Sequence, residues 1–423
     1  MRGATAGLIA ALALWAGGGL CGCGQERLRV LCLTGTPSEQ LMQDRMAREY
    51  RRSGTAVEFH SVTTRDELII EARKRPAADA IWASDAAIAE LDKVIGLEDL
   101  APRLRAAPER GGFAAAALGL CSVGERVRAL PLNMTVSTLY VNVNLCQAAG
   151  VEVPAGGWTW SQYLAAARKA TRDTSGDGVP EVYGLYRLSE LEVLLAQQGV
   201  SPYDQGLTRA RIVEDTRFAA ALTFYLDLSR TYGAAWPSTG YDAVQVFGTG
   251  RAAMFVGSSA WVAQLRGMTD FEWDVRPAPA DTPDSGAMPM RALCVALPQG
   301  AAKADEAWRF ALFCASREGQ EAGGDALLGM VPAYTPAAAL AVFNPPRPTS
   351  YAALVQAAYR SKPSASNWAR AYLERTAWGE ELKRMLAGEQ SVEQTVAGLQ
   401  RAAEAVLKTN LAEAAEKAIR ERR

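Results

Sequence analysis

The sequence predicts an α/β protein of two domains, and three observations support this fold class. Its 423 residues are more than a single domain usually contains. Hydrophobic residues make up 49% of the chain and charged residues 22%, which is typical of a protein that buries sizeable cores. Strand-like and helix-like segments alternate along the chain, which is the pattern of βαβ units with mostly parallel sheets.

The predicted elements of the first part follow one another in βαβ order. Runs of apolar and β-branched residues at 28–33, 56–62 and 78–84 predict three strands. The segments between them, 38–53 and 65–75, have the spacing of apolar residues that is typical of amphipathic helices. Each helix is short enough to connect two neighbouring parallel strands.

The rest of the chain continues the alternation and then becomes mostly helical. Strands are predicted near 135–143, 251–257 and 271–280, and a capped helix is predicted at 158–171. Beyond Pro346 the apolar spacing indicates helices up to the C-terminus.

Charge and histidine content exclude several classes of function. The formal net charge of −1 provides no field that would attract nucleic acid or an acidic membrane surface. The single histidine, His60, excludes multi-histidine metal sites and leaves only one ordinary proton shuttle. We therefore expect no nucleic-acid partner, and a packed or edge histidine rather than a catalytic one in the second strand.

The N-terminus has the pattern of a bacterial export signal. Residues 1–22 contain Arg2 and the apolar segment "LIAALALWAGGGL", which is shorter than the roughly 20 residues that span a bilayer. The residues before Cys23 resemble the lipobox, in which a cysteine is lipidated and becomes the first mature residue. Cys23 is therefore predicted to carry lipid, with 23–27 as a linker; an ordinary signal peptide is the alternative.

Two glycine-containing motifs have simpler interpretations than cofactor or metal binding. "GTGRAA" at 248–253 lies between a helix-like and a strand-like segment, the reverse of the order in dinucleotide-binding folds. "DTSGDG" places Asp173 and Asp177 as in a calcium loop, but Gly184 stands where the bidentate glutamate belongs. We expect a polar turn there, with a looser calcium site as the weaker alternative, and no cofactor.

The remaining cysteines are compatible with one disulfide bond in an exported protein. Their spacing alone does not pair them. They are Cys32, Cys121, Cys146, Cys294 and Cys314.

Four segments resemble the carbohydrate-type extracellular solute-binding proteins of ABC transporters. The longest is "RALPLNMTVSTLYVNVNLCQAAGVEVPAGGWTWSQYLAAARKAT". "VFGTGRAAMFVGSSAW", "DEAWRFALFCASREGQ" and "GMVPAYTPA" follow in the order found in that family. The resemblance extends over nearly all of the chain after the export signal, and it agrees with the lipobox.

The resemblance implies a two-lobed periplasmic-binding-protein fold of type II. Each lobe is then a mostly parallel sheet flanked by helices, and hinge strands join the two lobes around a ligand cleft. Lobe I would consist of 28–136 and 286–335, and lobe II of 137–285 and 336–423. The chain would cross between lobes near 134–140, 280–288 and 334–340.

The resemblance also implies a set of ligand-binding residues. In "IWASD", Trp82 would stack on a sugar ring and Asp85 would accept hydrogen bonds from hydroxyls, although a helix N-cap role for Asp85 stays open. Trp158 and Trp160 correspond to helix-start packing rather than ligand contacts. The full predicted set is Trp82, Asp85, Asn133, Trp236, Ser259, Trp261 and Tyr334.

Some positions depart from the maltose-type pattern. The hinge reads Val141-Asn142-Val143, and Arg187 and Ser189 stand where maltose-type members have a carboxylate and an aromatic residue. These departures argue against maltose itself as the ligand.

The function implied is capture of a sugar or oligosaccharide and delivery to ABC permease subunits, without catalysis. A monomer held at the membrane by its lipid is expected. Two alternatives stay open: an exported carbohydrate-active enzyme, which needs two converging carboxylates, and the same fold binding a glycerol phosphodiester, polyamine or peptide.

Overall fold

A 13-residue strand, Leu130–Asn142, runs through the centre of an eight-stranded sheet. All of its residues are buried except the half-buried Thr135, as expected for a strand covered on both faces. The computed structural model of the chain describes residues 27–34, 36–74, 77–186, 190–204, 208–230, 243–267, 270–281, 287–363, 378–408 and 411–421.

Six of the described strands occur where the sequence alternation predicts them, near 28–33, 56–62, 78–84, 135–143, 251–257 and 271–280. The described strands are β1 (Arg27–Leu33), β2 (Ala56–Val62), β3 (Ala80–Ser84), β4 (Ser122–Val123), β5 (Arg126–Val127), β6 (Leu130–Asn142), β7 (Met254–Ser258), β8 (Trp273–Pro277), β9 (Ala287–Met288), β10 (Met290–Ala296), β11 (Val331–Pro332) and β12 (Lys362–Pro363).

The helices cover the sheet and extend the C-terminal part of the chain. The described α-helices are α1 (Pro37–Tyr50), α2 (Arg65–Ala72), α3 (Asp85–Ile95), α4 (Ala101–Ala106), α5 (Ala115–Leu120), α6 (Val143–Ala148), α7 (Trp160–Ala170), α8 (Glu190–Gln197), α9 (Thr216–Arg230), α10 (Ala243–Gly248), α11 (Val262–Leu265), α12 (Ala304–Ala315), α13 (Arg317–Gly323), α14 (Tyr351–Arg360), α15 (Trp378–Leu386), α16 (Val392–Leu407) and α17 (Leu411–Glu421).

Local side-chain chemistry sets the starts of several helices. Thr36 and Glu39 form a capping box at the start of α1, and Thr64 and Glu67 form one at α2. The hydroxyl and the carboxylate each accept one backbone N–H that the first helical turn would otherwise leave unpaired. At α7 the cap is Thr159, so the adjacent tryptophans are packing residues as expected.

Strand β6 divides the sheet into two halves. Up to Val136 it pairs antiparallel with β10 and β11, and from Ser137 onward it pairs antiparallel with β7 and β8. In the first half β1 pairs parallel with β2 and β3, and β3 pairs antiparallel with β10. Strands β1, β2, β3 and β6 therefore share one direction, which agrees with the predicted fold class.

The third passage between the halves occurs later than the expected 334–340. The 3-10 turn Thr335–Ala339 still packs on α13 of the first half. The chain reaches β8 of the second half only where Thr349 and Ser350 bond to Asp274. Residues 282–286, within the second expected passage, lie outside the described ranges.

The C-terminal helices divide between the two halves. Helix α16 packs on α9, in the half where 336–423 was expected. Helix α17 instead packs on α2 and α3, and Arg73 bonds Glu416 at 2.8 Å. Residues 411–421 therefore lie against the first half of the sheet, which differs from the expected assignment.

Candidate functional site at the facing strand ends

The carboxyl ends of two sets of strands face each other across the middle of β6. In the first half, Ser84 at the end of β3 is level with Leu293, which is level with Asn133 on β6. In the second half, Ser258 at the end of β7 is level with Ser137. Ligands of α/β proteins bind outside the carboxyl ends of strands, so we take this region as the candidate site.

Asp85 lies at the edge contributed by the first half. It is the first residue of α3, while the N-cap is Ser84, whose hydroxyl accepts a bond from the amide of Ala87 at 3.3 Å. The N-cap of α3 is therefore Ser84 and not Asp85, for which the sequence left this role open. Asp85 is 5% exposed, and its carboxylate accepts a hydrogen bond from the amide of Ala292 at 3.1 Å.

An arginine that the sequence analysis did not single out accompanies Asp85. The guanidinium of Arg291, in β10, lies 4.0 Å from the Asp85 carboxylate. Burial raises the pKa of Asp85 to about 6, against the opposing effects of Arg291 and the backbone hydrogen bonds. The sequence signal that could have pointed to Arg291 is a single cationic residue within the otherwise apolar run "MRALCVA". This edge therefore places a buried carboxyl group, whose pKa is raised to about 6, beside the Arg291 guanidinium.

Trp82 lies in the core and not at the cleft surface, which corrects the predicted stacking role. Its side chain is fully buried. Its ring centroid lies 6.1 Å from that of Phe59 and 6.3 Å from that of Phe310. Both neighbours are apolar rings, so in this conformation no face of the indole is free to stack on a ligand.

Asn133 is also buried, because it connects β6 to α13. Its Nδ2 donates to Oε1 of Gln320 at 2.6 Å, and Nε2 of Gln320 donates to the carbonyl of Cys314 at 2.8 Å. Only 1% of Asn133 is exposed. The amide therefore satisfies a buried polar contact, and its predicted place at the cleft edge is corrected.

Ser259 has a structural contact at the position where a ligand contact was predicted. It is fully buried. Its hydroxyl donates to the carbonyl of Gly329 at 2.7 Å and accepts a bond from the amide of Val136 at 3.2 Å. Because both partners are backbone groups of the fold, the hydroxyl is not available to a ligand in this conformation.

Trp261 is the predicted aromatic residue that the structure places at the facing edges. It is the last residue of the 3-10 turn Ser259–Trp261, which follows the carboxyl end of β7, and it is partly exposed. The ring lies over Gly257, where a Cβ atom would overlap it, and its centroid is 5.7 Å from that of Phe255. The missing side chain of Gly257 thus makes room for the indole.

Tyr334 lies away from this region. Strand β11 runs antiparallel to β6, with Pro332 level with Asn133, so the following residues lead away from the facing strand ends. The Tyr334 ring packs on Phe113 with 5.4 Å between centroids. Its predicted ligand contact is therefore corrected to a packing contact within the first half.

Small hydroxyl residues also mark these strand ends. Thr34, directly after β1, donates to Oε1 of the buried Gln43 at 3.1 Å. Thr135 is the only residue of β6 that is not buried. Such groups can donate and accept hydrogen bonds.

The acidic segment at 173–178 forms a polar turn. Both carboxylate oxygens of Asp173 accept backbone amides, from Gly176 at 2.7 Å and from Gly178 at 2.8 Å. Asp177 accepts the amide of Val179 at 2.8 Å. In the described ranges no group of three or more His, Cys, Asp or Glu side chains is arranged to hold a metal ion. These contacts favour the turn over the calcium alternative.

Several predicted positions cannot be placed. Cys23, Trp236, Arg187 and Ser189 lie outside the described residues. Among the helices that are described, none has both the length and the apolar character that a bilayer span requires.

Solved structures with the same architecture include sugar-binding receptors. The GacH receptor of Streptomyces glaucescens, solved unliganded and with acarbose, has a TM-score of 0.70 and 19% identity, covering 90% of this chain and 99% of that chain. A cyclic α-maltosyl-1,6-maltose binding protein from Arthrobacter globiformis has a TM-score of 0.71 and 19% identity, covering 91% and 100%.

A third similar structure has a different kind of ligand. UgpB from Mycobacterium tuberculosis in complex with glycerophosphocholine has a TM-score of 0.70 and 17% identity, covering 91% of this chain and 99% of that chain. At these identities the similarities establish the two-lobed α/β fold. No curated protein matches the chain in sequence.

The family is established by a match over most of the chain. Residues 64–354 match the bacterial extracellular solute-binding proteins. This range contains β6, the facing strand ends, Asp85, Arg291 and Trp261. The chain therefore belongs to the family of bacterial extracellular solute-binding proteins.

Proposed function

We propose that this protein is the solute-binding component of an ABC importer and that it holds a sugar or oligosaccharide between its two lobes. The observation that carries the proposal is the opposition of strand carboxyl ends across β6, with Asp85 on one side and Trp261 on the other. A cleft of this kind encloses a small molecule between two rigid bodies.

The chemistry of the two edges suits a carbohydrate. The flat face of Trp261 can stack on the C–H face of a sugar ring. Asp85 and Arg291 lie 4.0 Å apart and together offer acceptors and donors for hydroxyl groups. Neither edge requires the ligand to carry charge, because the cation and the carboxylate face each other.

Strand β6 is the proposed hinge. Its pairing changes partners between Val136 and Ser137, so a small backbone rotation there would move the two halves relative to each other. We propose the expected division, 28–136 with 286–335 as lobe I and 137–285 with 336–423 as lobe II, with its last boundary moved beyond 339, because Thr335–Ala339 packs on α13. From its contacts, α17 would be an extension of the last segment onto lobe I.

Binding without catalysis is the proposed activity. Two described carboxylates near the strand ends already have partners: Asp85 has Arg291, and Glu67 accepts the amides of Thr63 and Thr64 at 3.1 Å. An exported glycoside hydrolase would need two such groups directed at one bond.

A glycerol phosphodiester is the second candidate ligand. The guanidinium of Arg291 has the fork geometry that binds phosphate oxygens, and it lies at the same edge as Asp85. Protonation of Asp85, whose pKa is raised to about 6, would remove the carboxylate charge that otherwise repels an anion at this edge. One structurally similar protein is in complex with glycerophosphocholine.

Titration calorimetry of the purified chain against mono- and oligosaccharides and glycerophosphocholine tests the proposal. We expect a sugar to bind, and Trp261→Ala to weaken its binding at least about tenfold. Recovery of the sugar unchanged after long incubation is expected for a binding protein. Sugar cleavage would contradict the proposal in favour of an enzyme.

Val179→Ala is the matched control for Trp261→Ala. Val179 lies in a turn beyond the far end of α7. The start of this helix is beside the strand ends, because Thr159 pairs with Ala280 just after β8. Its 11 residues then extend about 16 Å away from that edge. The valine is 61% exposed, so its truncation should leave affinity unchanged. If glycerophosphocholine binds and no sugar does, and Arg291→Ala abolishes that binding, a glycerol phosphodiester replaces the sugar as the proposed ligand.

The proposed location is the outer face of the cell membrane. The family is extracellular, and Cys23 in its lipobox-like context is the proposed lipid attachment site. A Cys23→Ala variant should appear in the soluble extracytoplasmic fraction while the parent chain stays with membranes. Unchanged membrane attachment would contradict the lipid anchor, and the binding proposal would stand independently.

A further inference from the structure

We propose that Cys121 and Cys294 form a disulfide bond when the protein folds outside the cytoplasm. Their Sγ atoms lie 3.1 Å apart, and both thiols are free in the structure. Disulfides form and persist in extracytoplasmic compartments because those compartments are oxidising. The family of this chain is extracellular.

The two sulfur atoms are positioned by packed elements. Cys121 directly follows α5, and Cys294 lies in the middle of β10, which packs against that helix. A disulfide has its sulfur atoms about 2.05 Å apart, so the thiols need to approach by about 1 Å. Small side-chain rotations can supply this, because neither element has to leave its place.

The other described cysteines are arranged differently. Cys32 donates to the carbonyl of Val30 at 3.7 Å. Burial and, to a smaller extent, the nearby Cys32 raise the pKa of Cys314 in α12, so these two thiols are also neighbours. Cys146 lies in α6 on the other half of the sheet. Within the described part of the chain, Cys121 and Cys294 are the only cysteine pair whose sulfur atoms lie within hydrogen-bonding distance. Contact geometry therefore selects one pairing where sequence spacing could not.

The reaction is a thiol–disulfide exchange with a disulfide oxidant such as oxidised glutathione or an oxidoreductase of the compartment. The thiolate of one cysteine attacks the oxidant disulfide, forming a mixed disulfide and releasing one oxidant thiol. The second cysteine attacks the mixed disulfide and releases the other oxidant thiol. The two cysteines lose two electrons, the oxidant gains them, and the two cysteine protons end on the released thiols.

The exchange must precede complete burial of the pair. Cys121 is 2% exposed and Cys294 is fully buried. Burial raises the pKa of the Cys294 thiol well above its ordinary value, and the protonated thiol is a poor nucleophile. The bond would therefore form during folding, before α5 packs on β10.

The bond would brace the strand that holds the candidate site. Cys294 lies two residues after Ala292, whose amide bonds Asp85. The cross-link would join chain segments 173 residues apart and hold β10 against α5. Its loss should loosen the edge that carries Asp85 and Arg291.

Peptide mapping of the full chain tests the pairing. The protein is produced with its own N-terminal segment in an exporting bacterium, denatured, alkylated without reductant and digested. We expect a linked Cys121–Cys294 peptide, with Cys32, Cys146 and Cys314 alkylated. Complete alkylation of Cys121 and Cys294, or linkage of either to another cysteine, would overturn the proposal.

Thermal unfolding of samples that were refolded from urea with and without reductant supplies the second measurement. Reductant should lower the Tm of the parent chain, and of the matched Cys146→Ala variant, by about 5 °C or more. The double variant Cys121→Ala/Cys294→Ala should show the same Tm in both conditions. If reductant lowers the Tm of the parent chain, Cys146→Ala and the double variant equally, the assignment is contradicted. If the double variant fails to fold, peptide mapping of the parent chain decides the question.

Discussion

The Ser259 hydroxyl donates a hydrogen bond to the carbonyl of Gly329, with 2.7 Å between the two oxygens. The same hydroxyl accepts the amide of Val136 at 3.2 Å. Gly329 has φ +90°, and a Cβ atom there would overlap the carbonyl of Ser259. One buried hydroxyl thus joins the end of β7, the middle of β6 and the turn before β11, at the level where β6 changes partners.

Ser259→Ala should destabilise the protein without removing any surface contact. It leaves the Val136 amide and the Gly329 carbonyl without their partner, which we expect to lower the free energy of unfolding by about 1–3 kcal/mol. Urea unfolding measures the change. Ser175→Ala, in the exposed turn after α7, is the control and should change stability by less than about 0.5 kcal/mol.

Unchanged stability together with weaker ligand binding would contradict the structural role of Ser259. That result would restore the ligand contact predicted from the sequence. Reduced stability with affinity retained in the folded fraction is the outcome that the structure predicts.

Asp85→Asn should change how stability depends on pH. The pKa of Asp85 rises from 3.8 to about 6 on folding, mainly through burial, so between these values the folded state binds more protons than the unfolded state. Stability therefore falls as the pH rises through this window, by roughly 3 kcal/mol for this group alone. The asparagine oxygen can still accept the Ala292 amide, and the charge is gone.

Urea unfolding of both proteins at pH 4, 5, 6 and 7 tests this. Relative to the variant, the parent chain should lose stability between pH 4 and pH 6 and then stay constant. Carboxylates with lowered pKa values, such as Glu67, make stability rise with pH. Their effect is the same in both proteins, so it cancels when one pH profile is subtracted from the other. Parallel pH profiles would show that Asp85 does not titrate in this range.

Asp274→Ala should detach the segment before α14 from β8. The carboxylate accepts the amide of Ser350 at 3.0 Å, its hydroxyl at 2.8 Å and the hydroxyl of Thr349 at 3.0 Å. It also pairs with Arg276 at 2.6 Å, which would be left partly buried without this partner. We expect the free energy of unfolding to fall by about 3 kcal/mol at neutral pH.

Asp305→Ala is the matched control for Asp274→Ala, since it breaks an ion pair at the surface. Asp305 bonds Arg103 at 2.7 Å, but its side chain is 80% exposed, so the expected cost is below about 1 kcal/mol.

Burial raises the pKa of Asp274, but bonds from Arg276 and Ser350 outweigh burial and hold it below 3.8. The contribution of Asp274 to stability is therefore lost as the pH falls below that value. Equal losses of stability in Asp274→Ala and Asp305→Ala would contradict the role of Asp274 in holding the segment before α14 on β8.

The alternation of apolar residues was enough to predict the βαβ order of the first part of the fold. Strands β1, β2 and β3 and helices α1 and α2 lie where the spacing of apolar residues predicts them, because each period matches one regular backbone geometry. The "GTGRAA" segment is likewise a helix end followed by a strand, with Gly250 at φ +70°.

Exposure of the site residues could not be predicted in the same way. Trp82 follows the sequence pattern of a ligand-stacking residue, but Phe59 and Phe310 cover it from two other elements. Asn133 and Ser259 have partners 187 and 70 residues away in sequence. Which polar side chain is already satisfied depends on such distant contacts, and a local pattern contains no information about them.

By itself, the sequence determined the fold class and the family of this protein, because both depend on local periodicity and on the order of motifs along the chain. Only the tertiary structure decided which predicted residues reach the facing strand ends. It placed Asp85 beside Arg291 and Trp261 over Gly257, and it brought Cys121 within 3.1 Å of Cys294. These relationships join segments far apart in sequence, and close packing of the folded chain sets them.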